Sequence, residues 1–342
     1  MLANSLPVVD PLINVYPKHA IPLTLLSLDK HAEQWIYSNY IQLKCSKDFM
    51  NHTPQDWFDF FTVYPEFYEN PYLHTERITI DTINNLDINI INFVINSIDN
   101  GSYIYTHVDE YYISDTVAHN SFHLPHAILI YGYNKGEKIL NIAGFNKIQK
   151  YSFRTVDFSH FEKAFYKIAD YKQEINSRHK NYFKFSYLMK LNQVKKYDFD
   201  ISWVFDCLKD YIESKNTSGR FRGFSNIVDD YYGLETYSKL IDYYSSIPED
   251  KRYLDIRPAH LLWEHKKIMF KRIQYIEKNK IANVDGSLKV FEEIERISLN
   301  LRNILIKYTF NNDNSLIDKI ITLLNTLETK EGNAIQKLLQ EN

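Results

Sequence analysis

Cysteine is nearly absent from this chain: in 342 residues only Cys45 and Cys207 carry thiols. Two cysteines so far apart match neither a disulfide framework nor a zinc-binding spacing, so both are read as reduced thiols. Long apolar runs are missing as well. No stretch approaches the roughly 20 apolar residues a membrane helix needs, and residues 1–5 lack the basic-then-apolar order of a secretory signal. The expected setting is cytoplasmic, with no membrane partner. Neither sign of charge dominates, because Lys and Arg number 40 against 43 Asp and Glu, a formal net charge of -3. Without a global positive field, nucleic acid is not an expected partner.

What the chain does have is length and apolar content enough for two domains, each with its own core: 342 residues, 44% hydrophobic. No repeat or low-complexity linker separates them, so the boundary is read from a change in hydrophobic period near residue 155. Before it, residues 103–108 and 127–133 are β-branched and aromatic runs bounded by Gly, Pro and Asn. Asn134-Lys135-Gly136 reads as a hairpin turn into a third strand over residues 138–142. After it, helical spacing takes over. Ser159 and Glu162 form a capping box ahead of Phe161, Ala164, Phe165, Ile168 and Ala169 on one face. Further helices are predicted after Asp200, over residues 260–276, from Ser287 through Ile304, and from Ser315 onward. The fold class is therefore α+β: a domain over residues 1–155 with an antiparallel sheet, then an α-helical domain over residues 156–342.

The segment richest in chemistry runs from Tyr103 to Tyr133, where two strands flank an insertion holding His119, His123 and His126. A turn centred between Ala118 and His119 sets Tyr111 opposite His126 and Asp109 opposite Ile128. Asp109 and His126 then share a face, as a carboxylate orienting an imidazole for acid/base work requires. A slip of one residue would put them on opposite faces. The histidines do not suggest a metal, because His123 and His126 are three apart on a strand and no Cys or carboxylate cluster completes a shell.

Val108-Asp109-Glu110-Tyr111-Tyr112-Ile113, followed after about a dozen residues by His126-Ala127-Ile128-Leu129-Ile130-Tyr131-Gly132-Tyr133, resembles the butirosin biosynthesis protein H family. That family is similar to papain-like cysteine peptidases, including bacteriocin-leader peptidases, and occurs in peptide and aminoglycoside antibiotic gene clusters. The resemblance extends to residues 197–201 and 255–267, which look like companion proteins of nonribosomal peptide synthetase clusters. It implies a papain-like first domain with a Cys-His-Asp or Cys-His-Asn site. Such a site moves an acyl group from a carrier-protein thioester to an amine through an acyl-cysteine, with no cofactor. The implied partners are an acyl or peptidyl carrier protein or synthetase, and a small amine or a peptide.

His126 matches the family histidine. The nucleophile is expected near residues 16–20, at the start of the first helix, and no cysteine is there. Cys45, after a strand-like stretch at residues 35–43, is the remaining candidate, while Cys207 on a helical stripe reads as packing. The third member should fall about Ala143-Gly144, and Asn141 is the nearest polar residue. In the second half, Arg257, His260, Trp263, Glu264 and His265 open a helix, as an anion-binding wall or as a capped helix with His265 on its core stripe. Two readings stay open: an amide-forming acyltransferase or peptidase-like enzyme using Cys45, His126, Asp109 and Asn141, and a degenerate papain-like protein that binds a synthetase, carrier protein or peptide product.

Overall fold

Alternating β-branched and aromatic residues suit a strand covered on both faces, and in a computed structural model of the protein these runs form the centre of a sheet. The structure describes residues 1–50, 57–62, 70–168, 182–192, 194, 197–221, 223, 228–247 and 254–342. Along the chain come β1 (Ala3–Ser5), α1 (Pro17–Leu26), α2 (Lys30–Asn39), β2 (Gln42–Cys45), β3 (Phe58–Phe61) and β4 (Leu73–Thr79). Next are α3 (Ile80–Asn85), α4 (Ile90–Asp99), β5 (Tyr103–Asp109), β6 (Pro125–Asn134), β7 (Ile139–Phe145), β8 (Tyr151–Asp157), α5 (Phe158–Lys167) and β9 (Phe185–Leu191). The remainder is α6 (Ile201–Ile212), β10 (Tyr231–Tyr232), α7 (Glu235–Ser246), α8 (Arg257–Lys278), α9 (Ser287–Asn311) and α10 (Ser315–Gln340). The fold is mixed α+β, with one antiparallel sheet of seven strands and a second of three among the described residues.

Two compact units divide the chain: Met1–Ala32 with Glu66–Lys196, and Glu33–Pro65 with Tyr197–Asn342. This differs from a single cut near residue 155. The period does change there, as α5 begins. However, β9 returns to the large sheet between β4 and β5, with Tyr187 facing both Arg77 and Tyr105. Strand pairing joins residues distant in sequence, so a local period does not reveal which unit a later strand serves. Residues 35–43 also differ from expectation. Ala32, Trp35 and Ile36 are buried at helical spacing within α2, and the strand starts only at Gln42.

In the first unit the sheet runs β4-β9-β5-β6-β7-β8, with β1 beside the far end of β6. A bulge between Ile130 and Gly132 shifts the β6–β7 register, and β1 takes the other edge of β6 beyond the last β5 pair at Ile130. A Cβ on Gly132 would lie 2.7 Å from Asn141 Nδ2 and 2.8 Å from Asn4 O, so glycine is required by close approach. One face of the sheet, carrying Val108, Ile128, Ile130, Ile142 and Val156, packs on α3, α4 and α5. Asn89 caps α4 by accepting from Asn92 N at 2.9 Å, and its Ile90, Val94 and Ile98 are buried at helical spacing. The N-cap of α5 is Asp157, two residues before the expected cap Ser159, and it makes no side-chain cap bond; Phe161, Ala164 and Phe165 are buried, and Ala169 lies outside the described residues. The opposite face carries Tyr151, whose hydroxyl is 3.0 Å from Thr24 Oγ1 of α1.

In the second unit β10, β2 and β3 form a small sheet beside α6 to α10. Asp200 caps α6, accepting from Trp203 N at 3.0 Å. Gly233 has φ +54, and a Cβ there would lie 2.0 Å from Tyr211 O, so no side chain fits. A charged cluster sits in the core. Lys266 Nζ of α8 is 2.7 and 2.8 Å from the Glu331 carboxylate of α10 and 3.1 Å from Tyr211 OH of α6. Glu331 also accepts from the hydroxyls of Tyr211 and Tyr237, each at 2.9 Å. His265 Nε2 donates to Ile41 O at 2.7 Å, and its Nδ1 accepts from Lys266 at 2.9 Å, so the imidazole is neutral. Burial and the Lys266 charge hold His265 well below the usual imidazole range.

Candidate functional site

The site is built where β5 and β6 meet. Val108 faces His126 and Asp109 faces Pro125, three residues away from the expected register, so that Ile128 faces Thr106. An odd shift moves the carboxylate to the other face. The cause lies in the excursion between the strands. Glu110 to Tyr112 wind into a 3-10 turn, and Asp115 and Asn120 take φ +57 and +53, so the connection is not a symmetrical hairpin.

Asp109 accordingly does not orient His126. Its Oδ2 is 2.6 Å from His123 Nδ1, and its Oδ1 accepts from Tyr111 N at 3.1 Å and Leu124 N at 3.2 Å. His126 is oriented by Glu110 instead, with Nδ1 2.7 Å from Oε1. An ionised carboxylate can only accept, so Nδ1 carries the proton and Nε2 is left as the basic nitrogen. Side-chain exposure completes the division of labour: Glu110 is at 2% and His126 at 27%. A buried acid thus holds a partly exposed imidazole. Glu110 is the partner of His126 that the sequence reading missed; its signal was the acidic pair Asp109-Glu110 followed by two histidines three apart.

The surroundings reinforce this geometry. Phe145 lies against His126 with ring centroids 5.6 Å apart. His107 is pushed down to about 3, by burial first and by the nearby His126 second, and stays a neutral imidazole. His123 stacks on Tyr111 at 4.6 Å and is the more open of the two partnered histidines, at 56%. Among the described residues no three His, Cys, Asp or Glu side chains gather in a way that holds a metal.

The other expected members lie elsewhere. Asn141 faces Gly132 on β6, six residues beyond His126 and so roughly 20 Å along the strand. Its Nδ2 donates to Ser5 Oγ at 3.4 Å, and the strand register keeps it from orienting His126. Cys45 ends β2 in the second unit, between Tyr231 and Phe58. It opens no helix, its Sγ is 3.6 Å from Ser46 O, and burial pushes its thiol far up, away from the thiolate. Cys207 is likewise free and buried, in α6. Since the chain has no other cysteine, the unit that holds His126 has no thiol of its own. The α1 helix starts at Tyr16-Pro17 and packs against the Tyr151 face, whereas the two-residue pleat sets His126 on the face of Ile128 and Ile130.

At the helix opening at Arg257 the N-cap is Ile256, with no side-chain cap, and the polar side chains are paired within the protein. Asp255 pairs with Arg257 at 2.8 Å, His260 lies between Glu264 and Arg302 at 3.3 and 2.8 Å, and Trp263 Nε1 donates to Glu295 at 2.7 Å. Compared with family profiles and with curated proteins, the chain matches none. Among the described residues no helix is long and apolar enough to cross a membrane.

The burial of Cys45 has a direct chemical consequence. In the native protein iodoacetamide is expected to label Cys45 at less than about one-tenth of the rate seen in denaturant, since only the thiolate reacts and both burial and the raised pKa suppress it. Peptide mass mapping of labelled protein reads this directly. Rapid native alkylation at Cys45 would restore it as a nucleophile.

Proposed function

We propose that the first unit is a proton-transfer site of papain-like ancestry, in which Glu110 and His126 serve acyl transfer from a carrier-protein thioester to an amine without an acyl-cysteine. The observation that carries the chemistry is the 2.7 Å contact of buried Glu110 with His126 Nδ1. The substrate class and the ancestry rest on the resemblance of residues 108–113 and 126–133 to the butirosin biosynthesis protein H family. Nε2 of His126 takes a proton as the amine nitrogen attacks the thioester carbonyl. The carbon–sulfur bond then breaks, its electron pair goes to sulfur, and His126 returns the proton to the leaving thiolate. Free thiols at Cys45 and Cys207 suit a cytoplasmic setting.

A second reading, binding of a carrier protein, synthetase or peptide product without chemistry, is favoured by the absence of a thiol from this unit. One experiment separates the two. With an acyl-loaded carrier protein and an amine, intact-mass spectrometry should follow loss of the acyl group. His126→Gln is expected to slow transfer by roughly 10²–10⁴, Glu110→Gln by a smaller factor, and Cys45→Ala not at all. Transfer by His126→Gln at the wild-type rate defeats the catalytic reading. Carrier binding with no transfer by any form selects the second.

A further inference from the structure

Arg154 of β8 stands on the same sheet face as His126, opposite Ile142. Its Nη1 donates to the carbonyls of Ser114 and Asp115 at 3.3 and 2.6 Å, and its Nη2 to Phe145 O at 2.9 Å. One guanidinium thereby ties the loop after Glu110 to the end of β7. It passes over Gly144, where an added Cβ would lie 3.6 Å from Nη2. Asp115 turns its carbonyl to the arginine from a left-handed conformation at φ +57. The same loop is fastened to Glu110 itself, since Thr116 Oγ1 shares its one proton between Glu110 O at 2.9 Å and Ile113 O at 3.0 Å, and Glu110 N donates to Leu124 O at 2.9 Å.

Arg154 has no carboxylate within ion-pair distance among the described residues; the acids that face it at longer range are Glu110 and Asp115, the latter also 3.9 Å from Lys147. Nη1 and Nη2 are spent on carbonyls, while Nε is buried without a partner among the described residues. The two terminal nitrogens reach the two segments from one rigid plane, a spacing that the single nitrogen of an ammonium, with its three donors at one point, does not reproduce.

We infer that Arg154 is a positioning residue, which holds the 110–116 loop so that Glu110 keeps the Nδ1 proton on His126. The inference rests on the proton-transfer reading of that dyad, but its test needs no activity. Nitrogen-15 NMR of the imidazole ring, assigned by loss of its signals in His126→Gln, reports at pH 9 which nitrogen carries the proton. Wild type is expected in the Nδ1–H form. If wild-type His126 is instead Nε2–H, the dyad fails and the function proposed above goes with it. Arg154→Gln should lower the ratio of Nδ1–H to Nε2–H by roughly fivefold, and Arg154→Lys should behave like Arg154→Gln. An unchanged ratio in Arg154→Gln, or full restoration by Arg154→Lys, overturns the positioning role. Should Arg154→Gln not fold, as judged by amide exchange in β5 to β8, Thr116→Val tests the same strap from the loop side. A shift of the ratio in that variant supports the inference and no shift overturns it.

Discussion

Lys266→Met is expected to destabilise the second unit by about 3–5 kcal/mol, because it leaves the Glu331 carboxylate in the core without its cation. Lys266 and Glu331 both have no solvent exposure, so water cannot replace the lost partner. Burial pushes Lys266 down to about 8, and Glu331 is what offsets that cost. The double variant Lys266→Met with Glu331→Leu removes both charges and is expected to recover much of the loss, though it leaves the hydroxyls of Tyr211 and Tyr237 without their acceptor. Tryptophan fluorescence in urea reads this unit alone, since Trp35, Trp57, Trp203 and Trp263 all fall within it. Equal midpoints for Lys266→Met and wild type would mean that the ion pair does not hold α8 to α10.

In the first unit, acid should act through His107. Its imidazole is 3% exposed, with rings of Tyr105 and Phe183 at 5.6 and 5.2 Å. The folded state keeps it neutral down to about 3, whereas the ordinary value is 6.5. Below 6.5 the unfolded chain binds a proton that the folded chain does not. Stability from this group is therefore complete above that pH and is lost as pH falls toward about 3. Each pH unit costs about 1.4 kcal/mol, or about 3 kcal/mol at pH 4. Hydrogen exchange of β5 and β6 amides, corrected for intrinsic rates, should show that loss. His107→Gln should lack it while retaining the contributions of other groups. The same acid dependence in both proteins would assign the effect elsewhere.

Much of the architecture could be read from residue order. The strands at residues 103–108 and 127–133, the helices after Asp200, Ser287 and Ser315, and the turn at residues 134–136 follow from side-chain period and local capping, which act over a few residues. His126 at the start of a strand was legible for the same reason. Its partner was not. Whether Asp109 or Glu110 meets His126 depends on a three-residue difference in register, and that difference is made by the path of a loop through a 3-10 turn and left-handed residues.

Cys45 and Asn141 are instructive in another way. Each owes its place to non-local facts: Cys45 joins a sheet with β3 and β10 in the other unit, and Asn141 faces Gly132 rather than the start of β6. The sequence by itself determined the elements that local period, caps and turn chemistry specify, among them β5, β6, α6, α9 and α10, but not α2, where residues 35–39 are helical. Only the tertiary structure decided the dyad, the membership of β9 and β2, and the burial of Lys266 with Glu331. Each of these depends on which distant segments pair, and hydrogen-bonded pairing between strands and packing between helices are set by the whole core rather than by neighbours in the chain.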